Sequence, residues 1–433
     1  MKYIYLAEKY NLVVGDKFEL FYRGVIKLYN PYQYYILIKC NKGNPYPRYF
    51  TYTPTINDLG SYELTMQLID NDGTIIDEGK TTLIVNNFEK PSKKINVLCI
   101  GDSLTVNGVW VAEAHRRICH IGGEPEGLNA GNILNFIGTC KKEVENDVVG
   151  FEGYGGWTWK SYTTNDHIGL YSSVWVKTKH QKTEADQHSV WESNGHLWIL
   201  ETIEKDSLKF KRGLGNVSMV SNLGDKFIHK ENAKNTDDVI IESFSFEKTN
   251  PFWNSTINDI DFKEYIKQNN FEQPDLIYIL LTWNGLYIPY NHDFSHHLDP
   301  AHKMIRHIHS VFPKAKVRIM GIQICSVNGG IASNYGASGP YSDTFGTIST
   351  AFFYNEALEK MTKEEEFKDY VSYIDTKAQF DTEYNMPGTM TKVNARSEIK
   401  EMIGNNGVHP TNAGYLQIGD CFYRNLVSDL KEL

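Results

Sequence analysis

From Ile95 onward, apolar residues occur in short continuous runs. These runs are Ile95–Ile100, Pro274–Leu281, Ala315–Gly321 and Val371–Asp375, and segments with apolar residues at helical spacing lie between them. Such runs are typical of buried parallel strands, and their alternation with helices indicates a parallel sheet covered on both faces. We therefore predict an α/β domain over residues 95–433.

The first 87 residues have a different pattern. Segments such as Lys17–Val25, Gln33–Lys39, Ser61–Ile69 and Lys80–Val85 are short and rich in β-branched and aromatic residues. Turn formers such as Asn71-Asp72-Gly73 separate these segments, as expected for consecutive strands. The pattern predicts a small immunoglobulin-like β-sandwich over residues 1–87, followed by a polar linker over residues 88–94.

Strands and helices stop alternating between about residues 161 and 250. Strand-like segments such as His196–Ile203 follow one another there, and Asn194-Gly195 is a strong hairpin signal. The segment is predicted to be a β-rich insertion in the α/β domain. Its tryptophans, Trp175, Trp191 and Trp198, are expected to form the core of the insertion, with a substrate groove as the alternative.

Charge and composition narrow the classes of function. The net charge of −9 over 433 residues argues against nucleic-acid binding, which requires a basic face. Aromatic residues make up 13% of the chain, a surplus common in sugar-binding proteins and in aromatic-rich β-structure alike. No apolar run would span a bilayer, and the first nine residues are too short an apolar stretch for a signal peptide. We expect a protein of the cytoplasm or of a phage virion, without a membrane partner.

The cysteines have no spacing typical of a metal site, whereas one pair of histidines does. The six cysteines are scattered without a Cys-x-x-Cys pair, which favours free thiols in a reducing compartment. Six histidines fall between His292 and His309; His292 and His296 are four residues apart, with Asp293 beside them. The stretch Pro289–Pro300 is interpreted as a loop, so we expect a solvated surface there, and we predict no metal and no cofactor.

The candidate chemistry begins at the end of the first apolar run. Gly101-Asp102-Ser103 follows that run, and Trp110, Val111, Ala114 and Ile118 then share one helical face. The order is typical of a buried strand, a tight turn and a helix. Open α/β sheets bind ligands at the carboxyl ends of their strands. Ser103 is therefore predicted to be a nucleophile.

A serine nucleophile requires a base and hydrogen-bond donors for the oxyanion. His409, just before a predicted C-terminal helix, is the candidate base. Gly155 and Gly156 offer backbone N–H groups that a ligand can approach closely. Asn284, at the end of a buried strand, offers a side-chain amide.

With these residues, the chain from Ile95 to its C-terminus resembles the SGNH hydrolases, also called GDSL esterases/lipases. Gly101-Asp102-Ser103-Leu104 is similar to the family's nucleophile block, and the segment 153–158 is similar to the second block. Asn284 and His409 match the asparagine and the base of the later blocks. The resemblance implies a flavodoxin-like three-layer domain.

The resemblance also implies roles for individual residues. Ser103 and His409 would be the nucleophile and the base, and the oxyanion hole would consist of the Ser103 N–H, the Gly156 N–H and the Asn284 side chain, with Gly155 as the alternative to Gly156. The neighbouring residues of these blocks are predicted to contact substrate, namely Asp102, Gly155, Trp157 and Trp283.

Two of the blocks depart from the family pattern. The third block reads Thr282-Trp283-Asn284-Gly285 where Gly-x-Asn-Asp is usual. The last block has Asn406 where an aspartate usually precedes the histidine by three residues. An asparagine can accept the hydrogen bond that orients the imidazole but supplies no charge, and the same exchange in a serine protease costs about 10⁴ in turnover. We predict that Asn406 orients His409.

Together these features predict a carboxylic ester hydrolase that forms an acyl-serine intermediate. An O-acetyl group on a carbohydrate is the favoured substrate, because family members with accessory β-domains are often acetylesterases. A phage tail or baseplate deacetylase, with other virion tail proteins as partners, fits the expected location. The alternative is a non-enzymatic glycan-binding or structural virion protein that keeps the fold.

Overall fold

The computed structural model describes residues 2–165, 173–212, 223–246 and 250–433. The chain divides into two compact units. The first comprises Met1–Gly153, Phe271–Asp299 and Phe312–Leu433, and the second comprises Tyr154–Asn270 and Pro300–Val311. The first unit holds both the N-terminal strands and the parallel sheet, and the predicted boundary at residues 88–94 stays a prediction.

The N-terminal part of the first unit is β-structure, as its short segments of β-branched and aromatic residues predict. Its elements are β1 (Lys9–Val13), β2 (Phe18–Phe21), α1 (Tyr22–Val25), β3 (Tyr35–Lys39), β4 (Asn44–Pro45), β5 (Tyr49–Tyr52), β6 (Gly60–Ile69) and β7 (Ile75–Asn86). They form a four-stranded sheet in the order β1-β7-β6-β3 and a three-stranded sheet in the order β2-β5-β4. The inward side chains of both sheets, including Leu12, Leu20, Phe50 and Leu64, form one buried core.

The short helix α1 is a departure from the pattern, which predicts continuous strand through Val25. A Cβ atom at Gly24 would collide with the backbone carbonyl of Lys377. The helical turn therefore brings a residue without a side chain against a distant segment of the chain, a contact that the local pattern cannot predict.

The α/β part of the first unit begins with the predicted strand after the linker. Its first elements are β8 (Ile95–Gly101), α2 (Val109–Cys119), β9 (Leu134–Ile137), β10 (Cys140–Val144) and β11 (Asp147–Gly153). Helix α2 buries Trp110, Val111, Ala114 and Ile118, the face predicted from the sequence.

The second unit contains the predicted β-rich insertion. Its elements are α3 (Trp159–Thr163), β12 (Ser173–Lys177), β13 (Val190–Ser193), β14 (His196–Glu204), β15 (Ser207–Arg212), β16 (Lys226–Glu231), β17 (Val239–Ile240), β18 (Ser243–Phe246), β19 (Trp253–Asn254), β20 (Asp259–Ile260) and α4 (Phe262–Gln268). Strands β12 to β18 form one antiparallel sheet. Asn194 and Gly195 turn the β13–β14 hairpin with φ angles of 51° and 77°, as Asn-Gly predicts.

Two of the three tryptophans of the insertion lie in its core, as expected. Trp191 and Trp198 are fully buried, whereas Trp175 is half-buried. Phe210 and Phe227 stack beside them with ring centroids 3.9 Å apart. The core interpretation is therefore confirmed for Trp191 and Trp198. The part of the predicted insertion at residues 166–172, 213–222 and 247–249 lies outside the described residues.

The remaining elements complete the parallel sheet and its helices. They are β21 (Leu276–Leu280), α5 (Ser295–Val311), β22 (Lys316–Met320), α6 (Ala332–Tyr335), α7 (Thr344–Thr362), β23 (Val371–Ile374), β24 (Gly388–Lys392), β25 (Lys400–Gly404) and α8 (Asn412–Leu430). The four predicted strands of the α/β domain are thus β8, β21, β22 and β23. None of the helices within the described residues is long and apolar enough to cross a membrane.

The strand order of the parallel sheet explains where a site can form. Strands β9 and β11 both pair with one edge of β8, and β21, β22 and β23 follow on the other edge. Counted along the chain, this is the doubly wound order 2-1-3-4-5. The switch point lies between β8 and β21, whose carboxyl ends meet where Gly101 pairs with Leu280. Ligands bind at such points in open α/β sheets.

The two faces of the parallel sheet are both covered. In β8, Ile95, Val97 and Cys99 belong to a core cluster shared with α2 and α8, while Leu98 and Ile100 point to the opposite face and are equally buried. Every second side chain of a strand faces the same side, so a continuous apolar run is required when both sides are covered. The six cysteines all lie within the described residues, and none of them forms a disulfide.

The histidine-rich segment differs from its predicted form. A loop is expected through Pro300, but α5 begins at Ser295 and continues through that proline. His297 is only 2% exposed, and its ring packs 5.3 Å from that of Tyr354. Tertiary packing therefore overrides the local helix-breaking signal, and this histidine is not part of a solvated surface.

Candidate active site

The turn after β8 places Ser103 at the switch point of the sheet. A Cβ atom at Gly101 would collide with the Thr105 side chain and lie 2.6 Å from the Leu280 carbonyl oxygen, so only glycine fits. The Asp102 carbonyl oxygen accepts hydrogen bonds from the N–H groups of Thr105 (2.9 Å) and Val106 (3.1 Å). The chain therefore turns sharply at Ser103, and α2 begins only at Val109 rather than directly behind the serine.

Ser103 and His409 are brought together over about three hundred residues of chain. The Ser103 Oγ lies 2.9 Å from the His409 Nε2, within hydrogen-bond distance, and both side chains are half-buried. The loop that carries His409 is anchored by neighbours: the Gln323 side-chain amide donates to the Val408 carbonyl oxygen at 3.1 Å. The geometry is that of a hydroxyl nucleophile next to its base.

Burial favours the neutral form of the His409 imidazole. Desolvation is the cause that lowers its pKa below the ordinary value of 6.5. A histidine with a lowered pKa is neutral at pH 7, so its Nε2 can take the proton of the serine hydroxyl.

Asn406 has a different task from the predicted one. Its Oδ1 accepts hydrogen bonds from the backbone N–H groups of Val408 (3.0 Å) and His409 (2.8 Å). Among the described residues, neither Asn406 nor any carboxylate contacts the imidazole of His409. A short amide side chain readily captures backbone N–H groups two and three residues ahead. Asn406 therefore shapes the turn, and Ser103 and His409 form a dyad.

Asp102, which is predicted to contact substrate, has its carboxylate inside the protein. Its side chain is fully buried and accepts hydrogen bonds from the Leu104 N–H (3.0 Å), the Thr282 N–H (2.7 Å), the Thr282 hydroxyl (2.5 Å) and the Asn284 amide (3.2 Å). Burial raises the pKa of this carboxyl to about 6, although the hydrogen bonds from Thr282 and Leu104 oppose the shift. The carboxylate links the ends of β8 and β21 and orients Asn284.

Asn284 follows β21 and is 9% exposed. Its Nδ2 donates to the Asp102 Oδ2, which holds the amide in a defined orientation. Thr282, which departs from the family pattern, supplies two of the hydrogen bonds that fix Asp102. The role of Asn284 as an oxyanion donor remains a proposal.

Two predicted substrate contacts are core residues. Trp283 is fully buried in the first unit. Trp157, in the second unit, is 1% exposed and packs between Tyr154 and Tyr162, with ring centroids 4.4 and 4.8 Å away. A large aromatic ring gains most from full burial, so neither side chain is available to a ligand.

Gly155 and Gly156 also belong to the second unit. Gly156 has a φ of 80°, in the left-handed region that favours glycine. The predicted parts of Gly155 and Gly156 in substrate binding and in the oxyanion hole stay predictions.

Three tyrosines near the dyad were not predicted from the sequence. Tyr287, Tyr335 and Tyr341 are half-buried and contact one another, with ring centroids 5.2 to 6.0 Å apart. Burial raises the pKa of Tyr287 well above 10.0, and the charge of Asp102 contributes. Asn334, next to Tyr335, accepts a 2.5 Å hydrogen bond from the Gly407 N–H. No motif marks these residues; only the position of Tyr287 three residues after Asn284 was a signal.

Comparison with known proteins gives the following findings. No family model and no curated protein matches the chain. Among solved structures, a peptidoglycan O-acetylesterase is 12% identical, over 79% of this chain and 93% of its own, with a TM-score of 0.30. A possible lipase from Chitinophaga pinensis is 10% identical, over 78% of this chain and 99% of its own, with a TM-score of 0.31. Likenesses at these TM-scores carry no argument about the activity of this chain.

Proposed function

We propose that this chain is a serine ester hydrolase of the SGNH type, with a flavodoxin-like catalytic domain and an immunoglobulin-like N-terminal sandwich. The observation that carries the proposal is the 2.9 Å approach of Ser103 Oγ to His409 Nε2. It occurs at the switch point of a doubly wound sheet, where such folds bind their ligands.

The reaction follows from the dyad. As the Ser103 Oγ attacks the ester carbonyl, His409 Nε2 takes the hydroxyl proton and then gives it to the departing alcohol. A water molecule next attacks the acyl-serine while His409 Nε2 takes its proton. As the bond between the acyl carbon and the Ser103 Oγ breaks, His409 returns that proton to the Oγ, and the carboxylic acid leaves. The Ser103 N–H, the Gly156 N–H and the Asn284 amide are the proposed donors to the oxyanion.

The proposed substrate is an O-acetyl ester on a carbohydrate. The tyrosine trio of Tyr287, Tyr335 and Tyr341 supports it with aromatic rings that bear hydroxyl groups. Tyr287 follows Asn284 by three residues, and Tyr335 is next to Asn334, whose side chain accepts a hydrogen bond from the Gly407 N–H. Aromatic faces with polar tips suit sugars, which have apolar ring faces edged by hydroxyls. The proposed setting is a phage tail or baseplate component that deacetylates a surface polysaccharide.

The test is labelling of the folded protein with a fluorophosphonate, together with acetate release from an activated acetyl ester. We expect one label per chain. Both signals should fall by at least about 10³-fold in Ser103→Ala and His409→Gln, because each variant disables the dyad. The matched controls are Ser61→Ala and His180→Gln, at exposed positions remote in sequence from the dyad.

One result would overturn the enzyme proposal. In that result the wild-type protein is well folded, but it is not labelled and releases no acetate. The wild type and Ser103→Ala also bind a glycan equally well. That outcome would favour the non-enzymatic alternative, a glycan-binding or structural virion protein.

A further inference from the structure

A cluster of histidine and carboxylate side chains lies in the first unit apart from the serine–histidine dyad. His115 is on α2, and His120 directly follows that helix. Glu145 lies in the turn of the β10–β11 hairpin, and Asp147 is the first residue of β11. The proposed esterase reaction uses none of these residues.

Three ligand atoms of the cluster converge. The Asp147 Oδ2 lies 3.1 Å from the His120 Nε2 and 3.6 Å from the His115 Nε2, and the three atoms all lie within 4.8 Å of one another. A tetrahedral zinc ion, at about 2.0–2.2 Å from each ligand, separates its ligand atoms by about 3.3–3.6 Å. The spacing of the three atoms therefore matches a shared cation.

The hydrogen bonding of the two Nε2 atoms independently points to a missing ligand. The His115 side chain is 5% exposed, and its Nε2, 3.6 Å from the Asp147 Oδ2, makes no hydrogen bond within the described residues. The His120 Nε2 is also buried without a hydrogen-bond partner. Buried polar groups are nearly always satisfied, so unpartnered nitrogens next to one carboxylate oxygen require an explanation.

A carboxylate also orients one of the two imidazoles. The Glu145 Oε2 lies 3.0 Å from the His120 Nδ1, the arrangement in which a carboxylate orients a metal-binding histidine.

We propose that His115 Nε2, His120 Nε2 and Asp147 Oδ2 bind a divalent transition-metal ion of the zinc class. Glu145 orients His120, and a water molecule completes the tetrahedron on the side where Asp147 is exposed. The ion clamps the end of α2 to the β10–β11 hairpin. Nitrogen and carboxylate oxygen together are ligands that zinc accepts readily.

The test uses the full chain without a histidine tag, treated with a chelator and dialysed against Zn²⁺ or Co²⁺. We expect one Zn²⁺ per chain by elemental analysis and a visible Co²⁺ spectrum typical of a tetrahedral site. Asp147→Asn and His120→Gln should each weaken binding by more than tenfold. Glu145→Gln changes an orienting residue whose side chain is 47% exposed and should weaken binding by about 10–100-fold.

The controls separate this site from exposed side chains. His292→Gln and Asp72→Asn change residues of the same kinds at exposed positions and should leave zinc binding unchanged. Circular dichroism establishes that each variant is folded, and Glu145→Gln keeps all three ligands. A wild-type chain that binds no zinc, or binding that is unchanged in all three site variants, would overturn the proposal.

Discussion

At the scale of single residues, the site depends on which partner each polar side chain finds. The His409 imidazole has Ser103 on one nitrogen, and no carboxylate contacts the ring among the described residues. The Asn406 amide satisfies two backbone N–H groups instead. In the triads of serine proteases, a carboxylate orients and stabilises the imidazolium. Here, burial within the loop has to hold the ring in place.

Replacing Asn406 tests this assignment. Because residue 406 caps the backbone, Asn406→Asp should keep the turn and change kcat/KM for an activated acetyl ester by less than about tenfold. If residue 406 instead oriented the imidazole, the carboxylate of Asn406→Asp would increase turnover over the wild type by up to about 10⁴-fold. A gain of a hundredfold or more would contradict the assignment. Asn406→Ala, which removes both hydrogen bonds, is the companion variant and should lower the unfolding free energy by about 1–3 kcal/mol.

The lowered pKa of His409 predicts the pH profile. The base works only when neutral, so activity should be full above the pKa and should be lost as the pH falls through it. Since burial lowers that pKa, the acid half-point of kcat/KM should lie below 6.5. Asp102, whose pKa is raised to about 6, gains its proton in the same range, so the acid limb should be steeper than a single ionisation. A half-point above pH 7 would contradict this prediction.

At the scale of elements, the site is a junction of two neighbouring strands. Ser103 follows β8 and Asn284 follows β21, and the two strands pair in parallel up to Gly101 and Leu280. Asp102 joins their ends through three hydrogen bonds from Thr282 and Asn284, and a fourth, from the Leu104 N–H, lies within its own turn. The relative position of the nucleophile and the Asn284 amide therefore depends on a buried carboxylate.

Asp102→Asn should break this junction. The side-chain NH₂ group of an asparagine would face the N–H and O–H groups that now donate to Asp102. Each donor left without an acceptor lowers the unfolding free energy by about 1–3 kcal/mol. We expect a lower unfolding free energy by urea titration and a fall in kcat of more than about tenfold, since Asn284 loses its orientation. Thr282→Val removes only one of the four donors and should have a smaller effect on both. An Asp102→Asn variant with wild-type kcat would show that the carboxylate does not position the site.

At the scale of the whole chain, buried charges connect distant segments of the first unit. Asp16, which is 5% exposed, pairs with Arg117 of α2 and Arg424 of α8, each at 2.5 Å. The Arg117 guanidinium also stacks on the Tyr423 ring, 3.7 Å from its centroid. One aspartate of the N-terminal segment is thus shared by two buried arginines on the helices that cover the sheet, and Arg117 has Asp420 as a second counter-ion at 2.7 Å.

Asp16→Asn should destabilise the protein strongly. Removing one partner leaves two buried positive charges without their common counter-ion, and losses of about 3–5 kcal/mol are typical of such changes. The matched control is Glu63→Gln, which removes the exposed pair of Glu63 with Lys80 and should cost less than about 1 kcal/mol. Urea unfolding of both variants measures the difference. Equal effects would mean that the buried pairs contribute no more than a surface pair.

The local sequence determined the elements of this protein. The continuous run of β8, the helical face of Trp110 to Ile118 and the Asn-Gly hairpin were all predictable, because periodicity and turn chemistry act over a few residues. Ser103 was predictable as a nucleophile because it follows a buried strand.

The partners of the polar side chains were decided only by the tertiary structure. Asn406 binds backbone rather than imidazole, Asp102 and Trp283 are buried rather than facing substrate, and Gly24 forms a helical turn against Lys377. The outcomes for Asp102, Trp283 and Gly24 depend on which atoms a distant segment brings close, within about 3 Å for a hydrogen bond. No periodicity encodes that distance, because it is set by the packing of all the intervening elements together.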